Sequence, residues 1–232
     1  MSRPSGEIET FTMKKKHLSL NLESRALFPT SIRVKICGIT NKEDAFLAAD
    51  LGAFALGFVF FRRSKRFIAP DGARRIIEAL PSSIVKVGVF VEETPDEVME
   101  LKRHCGLDCV QIYDADSWTA AGYTVNGSII AARRVTSKDD VERARKIPYL
   151  PLFDTGLTGS WGGTGACFDW RFLEGFDRPY ILAGGIKADN VEDAVRLGPW
   201  AIDIASSVES RPGKKDPEKM RALFKRLEAR VS

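Results

Sequence analysis

At 232 residues the chain is long enough for one sizeable α/β domain with a full core. Its 35 Lys and Arg against 31 Asp and Glu leave +4 at pH 7, too mild for a general nucleic-acid binder and well suited to an anionic small substrate. No apolar run reaches the roughly 18 residues of a membrane span, and Cys37, Cys105, Cys109 and Cys167 complete no metal-ligand spacing, so reduced thiols in a cytoplasmic protein are expected.

Residues 1–32 differ from the rest: Lys14, Lys15 and Lys16 form a charge run, Pro4, Gly6 and Pro29 break periodicity, and no apolar signal centre is present. A polar N-terminal extension, flexible or loosely docked, is expected there. From residue 33 onward, short apolar runs alternate with helical patterns. Strands are predicted at 33–37, 55–60, 85–91, 108–112, 128–132, 150–154, 179–183 and 201–205. Helices are predicted near 42–51, 71–80, 95–104, 115–121, 137–146, 169–174, 188–197 and 216–230. Eight strand–helix units predict one α/β domain over 33–232, a single (β/α)8 TIM barrel. A doubly wound sheet is the weaker alternative. Polar residues recur at strand C-termini (Cys37, Gln111, Asp154, Gly184, Ser206), whereas an open sheet concentrates them at its switch point.

Cys37 ends the first strand in RVKICGITNKEDA, at the mouth where such barrels keep their chemistry. It is either a small buried hydrophobe or a thiol made reactive by a nearby cation. Lys35 is the candidate cation, two residues back on the same strand face. Strands one and eight adjoin in a closed barrel, so a buried Lys35–Asp203 pair is expected, with Asp203 also counted among the substrate-binding residues. Asp154 ends strand six in PLFDTG. Its carboxylate is either a hydrogen-bonding cap or an acid whose proton is retained by partial burial. Gln111 is an inward amide able to orient a substrate. His17 and His104 lie away from strand ends and are assigned no catalytic role.

Gly184 and Gly185, in ILAGGIKADN, allow close backbone approach to an anion or simply make a tight turn. Ser206 and Ser207 stand where a short extra helix can begin after strand eight. Loops after strands seven and eight together point to phosphate. Gly163 and Gly165, in GSWGGTGACFDW, belong to a loop read as a lid over the ligand. Among Arg62, Arg63, Lys65 and Arg66 after strand two, one arginine reaching inward can bind a carboxylate through both edges of its fork.

KICGIT, GFVFFRRSKRFI, VGVFVEE, GGTGACFDW, LAGGI and VESRPGKKD, in that order, resemble the blocks of phosphoribosylanthranilate isomerase of tryptophan biosynthesis, over about 33–230. The resemblance implies an Amadori rearrangement in a cofactor-free barrel. It implies a small-molecule phosphosugar substrate, no nucleic-acid or membrane partner, and a monomer or homodimer. By position Cys37 matches the family's general base and Asp154 its general acid. Arg66 matches the arginine on the anthranilate carboxylate, and Gly184, Gly185 and Ser206 match the phosphate cradle. Tyr113 and Asp114 replace a histidine and a glycine, and Ala205 stands where serine or asparagine is common; these departures bear on substrate fit and rate. A related barrel of histidine biosynthesis would carry aspartate at position 37. A phosphosugar-binding regulator without catalysis is the alternative from another class.

Overall fold

The computed structural model describes residues 32–113, 115–120, 122, 128–155 and 167–228. The first strand, β1 (Arg33–Cys37), sets the pattern for the rest. Val34 and Ile36 join one apolar layer with Ala45 and Ala48 of α1 (Lys42–Asp50), while Lys35 and Cys37 take the other face. Seven more parallel strands follow: β2 (Ala55–Val59), β3 (Val85–Phe90), β4 (Cys109–Ile112), β5 (Ile129–Val135), β6 (Leu150–Thr155), β7 (Ile181–Leu182) and β8 (Ala201–Ile204). They close into a barrel in chain order, and β8 returns to β1 with Asp203 opposite Lys35. The chain is therefore a (β/α)8 TIM barrel.

Both strand faces are covered, which is why these strands read as nearly continuous apolar runs. Inside, Val85, Val87, Ile130, Leu150, Leu152 and Ile181 fill the barrel. Outside, Phe58, Phe90 and Phe153 pack beneath the helices. Those helices are α1, α2 (Pro70–Ile77), α3 (Pro95–Cys105), α4 (Ala115–Ala120), α5 (Lys138–Ala144), α6 (Val191–Arg196) and α7 (Pro217–Glu228). Their ends are written locally. Thr94 and Glu97 form a reciprocal capping box ahead of α3, and Gly106 ends that helix at φ 70°. Asn41 caps α1 by accepting from the Asp44 N–H at 2.9 Å.

The structure departs from the sequence expectations in a few places. β5 runs three residues further, to Val135, because Arg133 and Arg134 continue its pairing with β6. β7 is only Ile181–Leu182, and the predicted helix at 169–174 is a 3₁₀ helix at Trp170–Leu173. An unforeseen antiparallel hairpin follows β8, formed by β9 (Glu209–Arg211) and β10 (Lys214–Lys215). Residues 1–31, and with them the expected extension, lie outside the described residues, as do Asp114, Gly163 and Gly165.

Arg178 secures the loop that feeds β6 from the N-terminal face of the barrel. One of its terminal nitrogens donates to the carbonyls of Ala144 (2.7 Å), Arg145 (3.2 Å) and Ile147 (2.8 Å), and the other to Tyr149 (2.9 Å). A cation at the end of α5 both satisfies the last helical carbonyls and meets the negative end of the dipole. Arg178→Met should lower the free energy of urea unfolding by about 2–3 kcal/mol, the scale of lost charged hydrogen bonds. Because the clamp lies at the opposite end from the mouth, kcat/KM should stay within about twofold of wild type; a larger change would mean that β6 has moved.

Candidate active site

The C-terminal ends of the strands open into a cleft of about 780 Å³, measured out to its open mouth. Parallel strands deliver their last inward side chains here, so residues far apart in sequence meet. Cys37 from β1, Gln111 from β4, Asp154 from β6 and Asp203 from β8 all line it. So do Arg66 from the β2–α2 loop, Gly184 and Gly185 after β7, and Ser206 and Ser207 after β8. The cleft has two characters. Val59, Phe61, Val89 and Val91 make an apolar wall on the β2–β3 side, beside Arg66. The glycine and serine loops make the other side.

Lys35 and Asp203 meet at 2.9 Å, with side chains 2% and 9% exposed. Burial works to lower the Lys35 ammonium, but the charges of Asp203 and Cys37 outweigh it and hold the lysine above its ordinary range. Gly57 lies opposite Cys37 in the β1–β2 register. A Cβ there would come within 2.8 Å of Cys37 Sγ and 3.3 Å of Lys35 Cε, so glycine leaves the space that thiol and cation share.

Lys35 does favour the thiolate, as its place on the strand face suggests, but burial sets the direction of the net shift. Burial pushes the Cys37 thiol above its ordinary range, and Asp203 adds to the push. Lys35 and Lys215 pull the other way without prevailing. Taking an anion out of water costs more here than two nearby ammonium groups return, one of them already shared with Asp203.

Asp154 behaves as expected. Burial raises its carboxyl to about 6, against the opposing pull of the Thr155 N–H, which donates to it at 2.8 Å, and of Arg134 and Lys35. Gly184 is fitted to this carboxylate. At φ 82° it occupies the left-handed region, and a Cβ would crowd Thr155 Oγ1, its backbone nitrogen (2.6 Å) and Asp154 Oδ1 (2.8 Å). Gly185, also left-handed at φ 67°, is pinned through its carbonyl by the Asn190 side-chain amide at 3.0 Å. Ser206 and Ser207 open a short 3₁₀ helix, Ser206–Val208, as expected of the strand-eight turn.

Tyr113 lines the cleft with Arg134 over its ring at 5.9 Å. Burial, then the charges of Asp154, Cys37 and Asp203, hold its phenol well above the ordinary value, so it stays a neutral hydroxyl. Among the described residues, Gln111 Oε1 and Ser207 Oγ are buried without a hydrogen-bond partner. Buried polar atoms of this kind are costly unless a ligand or water completes them.

Arg66 is the arginine of that run that reaches inward, and it already pairs with a carboxylate of the protein. Its Nε and one terminal nitrogen donate to Glu209 at 2.9 and 2.7 Å. Glu209 and Lys215 lie just behind the cleft, bonded to Arg66 and to the Cys37 carbonyl, and no sequence argument had singled them out. The Pro212–Gly213 dipeptide between Arg211 and Lys214 was the available signal for the hairpin that carries them. His104 instead pairs with Asp71 at 2.8 Å on the α2–α3 surface. Among the described residues no cluster of His, Cys, Asp and Glu could hold a metal ion.

Residues 34–226 match the family model of N-(5'-phosphoribosyl)anthranilate isomerase. An isomerase of that name from Thermotoga petrophila is 37% identical over 199 residues, covering 84% of this chain and 97% of its own. The crystal structure of phosphoribosyl anthranilate isomerase from Thermus thermophilus superposes with a TM-score of 0.77 at 40% identity, over 85% of this chain and 99% of that one. A phosphoribosyl anthranilate isomerase in complex with reduced 1-(o-carboxyphenylamino)-1-deoxyribulose 5-phosphate gives a TM-score of 0.73 at 35% identity, over 85% and 99%. With a barrel closed in the same way and most of its length matched, the chain belongs to the N-(5'-phosphoribosyl)anthranilate isomerase family.

Proposed function

We propose that Cys37 and Asp154 are the general base and general acid of this isomerase. The chain converts N-(5-phosphoribosyl)anthranilate to 1-(2-carboxyphenylamino)-1-deoxyribulose 5-phosphate in tryptophan biosynthesis. The observation that carries the assignment is the order of groups in the cleft. A thiol and a protonatable carboxyl from β1 and β6 stand between an apolar wall with a cation and a loop pair rich in backbone and hydroxyl donors. The wall suits an aromatic ring, the cation its carboxylate, and the loops a phosphate.

Asp154 gives its proton to the furanose ring oxygen as the lone pair of the aniline nitrogen opens the ring to a protonated Schiff base. Cys37 thiolate then takes the proton from C2. The electrons of that C–H bond flow to the iminium and neutralise it, giving an enolamine. Loss of the C2 hydroxyl proton and protonation at C1 yield the ketone. Gly184, Gly185, Ser206 and Ser207 hold the phosphate, with Ser207 Oγ as an available donor. Gln111 offers its buried carboxamide oxygen to a hydroxyl or N–H of the sugar chain. Buried free thiols at Cys37, Cys105 and Cys109 support a reducing, cytoplasmic setting.

Turnover is followed directly by the loss of phosphoribosylanthranilate fluorescence. Cys37→Ser and Asp154→Asn should each retain the fold and lose about 10²–10⁴-fold in kcat, the usual weight of a positioned base or acid. Near wild-type turnover in either variant would remove that residue from its role.

The pH profile carries a sign. Activity needs the Cys37 thiolate and the protonated Asp154. With the carboxyl at about 6 and the thiol raised, this pair is the minor form. Below pH 6 the acid is mostly protonated while thiolate grows about tenfold per unit, so kcat/KM should rise. Between pH 6 and the thiol's own value the gain in thiolate cancels the loss of acid, and the profile should be flat. Above the thiol's value it should fall. In Asp154→Asn the break near pH 6 should vanish and residual activity should keep rising. A break retained there belongs to another group.

Lys35→Met leaves Asp203 buried without its partner and should cost about 3–5 kcal/mol in urea unfolding. Lys35→Met with Asp203→Leu should recover the stability but not the activity, since the cation that favours thiolate is still missing. Alkylation of Cys37 across pH should show the thiol titrating higher in both variants. An unchanged titration would make Lys35 purely structural.

A further inference from the structure

We propose that Glu209, carried on the β9–β10 hairpin and backed by Lys215, is the positioning residue that aims Arg66 at the substrate's carboxylate. The inference rests on Arg66 as the carboxylate-binding group of the cleft. Arg66 lies in an irregular loop, where a long side chain is free to choose among rotamers. The structure removes that freedom at two points. Its stem lies on the turn after β1: at Gly38, φ 79°, an added Cβ would stand 2.5 Å from Arg66 Cδ. Glu209 then takes one whole edge of the guanidinium, through Nε at 2.9 Å and a terminal nitrogen at 2.7 Å. A guanidinium has five N–H donors in a fixed plane. With one edge fixed, the plane and direction of the other are fixed, and that other edge is the one able to fork onto a second carboxylate.

Glu209 can do this because it is itself immobilised. It is 3% exposed and accepts from Lys215 Nζ at 3.1 Å and from the Gly213 N–H at 3.2 Å. Lys215, wholly buried, spends its other two protons on the carbonyls of Cys37 (2.6 Å) and Ala205 (3.1 Å). Thr40 Oγ1 bonds the Gly213 carbonyl, and the Asp44 carboxylate receives the Lys215 N–H at 2.7 Å and the Lys214 ammonium at 2.8 Å. The hairpin thus ties Arg66 to the same β1–α1 junction that carries Cys37. The charges also point to an anion. Arg66 and Lys215 share one carboxylate, leaving the buried cluster one positive charge in excess at the rim of the cleft. A substrate carboxylate on the open edge of Arg66 completes it.

The test separates aim from mere charge satisfaction. Dissociation constants are measured by calorimetry for reduced 1-(o-carboxyphenylamino)-1-deoxyribulose 5-phosphate and for the same compound lacking the ring carboxylate. Wild type should prefer the carboxylated ligand by about 10- to 100-fold, the range of a charged, forked hydrogen bond. Glu209→Asp keeps the buried charge and withdraws the carboxylate by one methylene. It should cut the preference to below about threefold while the ligand without carboxylate binds within about twofold of wild type. Arg66→Ala should abolish the preference, and adding Glu209→Asp to it should change the ratio no further. If Glu209→Asp does not fold, the isosteric Glu209→Gln is measured in the same cycle and should give the same loss. A full preference in a folded Glu209 variant, with Arg66→Ala defective, would overturn the proposal and leave Glu209 a charge partner only. A preference that survives Arg66→Ala would overturn the assignment of Arg66 itself, and the positioning role with it.

Discussion

Lys35 and Asp203 meet where β1 and β8 close the barrel, and most of the mouth follows from that meeting. A buried ammonium and a nearly buried carboxylate tolerate no slip in register, because a shift of one residue would turn each to the opposite face and strand it in the apolar layer beneath the helices. With the pair in place, Cys37 stands one inward position above Lys35, at the rim, and β8 ends where its serine loop can face the cleft. The interior needs the room. Ala55, Gly57 and Ala201 are small on the strands beside this pair, and Gly57 in particular leaves no side chain where Cys37 and Lys35 meet.

The same burial acts on both of the proposed proton-transfer groups, Cys37 and Asp154. It raises the thiol and the carboxyl alike, for each must be charged in one of its forms and the cleft floor is apolar. A raised carboxyl is useful, since a proton must be available near neutral pH. A raised thiol is a burden that Lys35 and Lys215 reduce without removing. Under the proposed assignment, one environment therefore serves the acid at the expense of the base.

Positive charge is distributed with similar economy on the other side of Cys37. The hairpin after β8 is short, yet its two buried charged residues reach the β2–α2 loop, the end of β1 and the end of β8 at once. A lone arginine on a loop would bind a carboxylate only after losing its rotamer freedom. Here that loss is met in folding, by Glu209 and by the contact with Gly38.

Much of this protein is legible along the chain. Alternation in RVKIC puts Lys35 and Cys37 inward and Val34 and Ile36 outward, and Asn41, just after the glycine turn, caps the helix that follows. The recurrence of polar residues at strand ends points to the barrel mouth, and the Lys35–Asp203 pair follows once the barrel is closed. These features depend on period, turn chemistry and strand order, which are properties of neighbouring residues. What the chain alone does not decide is which charges meet across loops and how far each is from water. Arg66 reads as one of four cations after strand two, and Glu209 and Lys215 as part of a charged, solvated turn. Only tertiary structure folds that turn back onto β1, buries both residues and makes them the frame of Arg66. The thiol follows the same division: the pull of Lys35 towards thiolate is visible two residues away in sequence, whereas the desolvation that outweighs it is the sum of contacts from many strands and exists only when the barrel is closed.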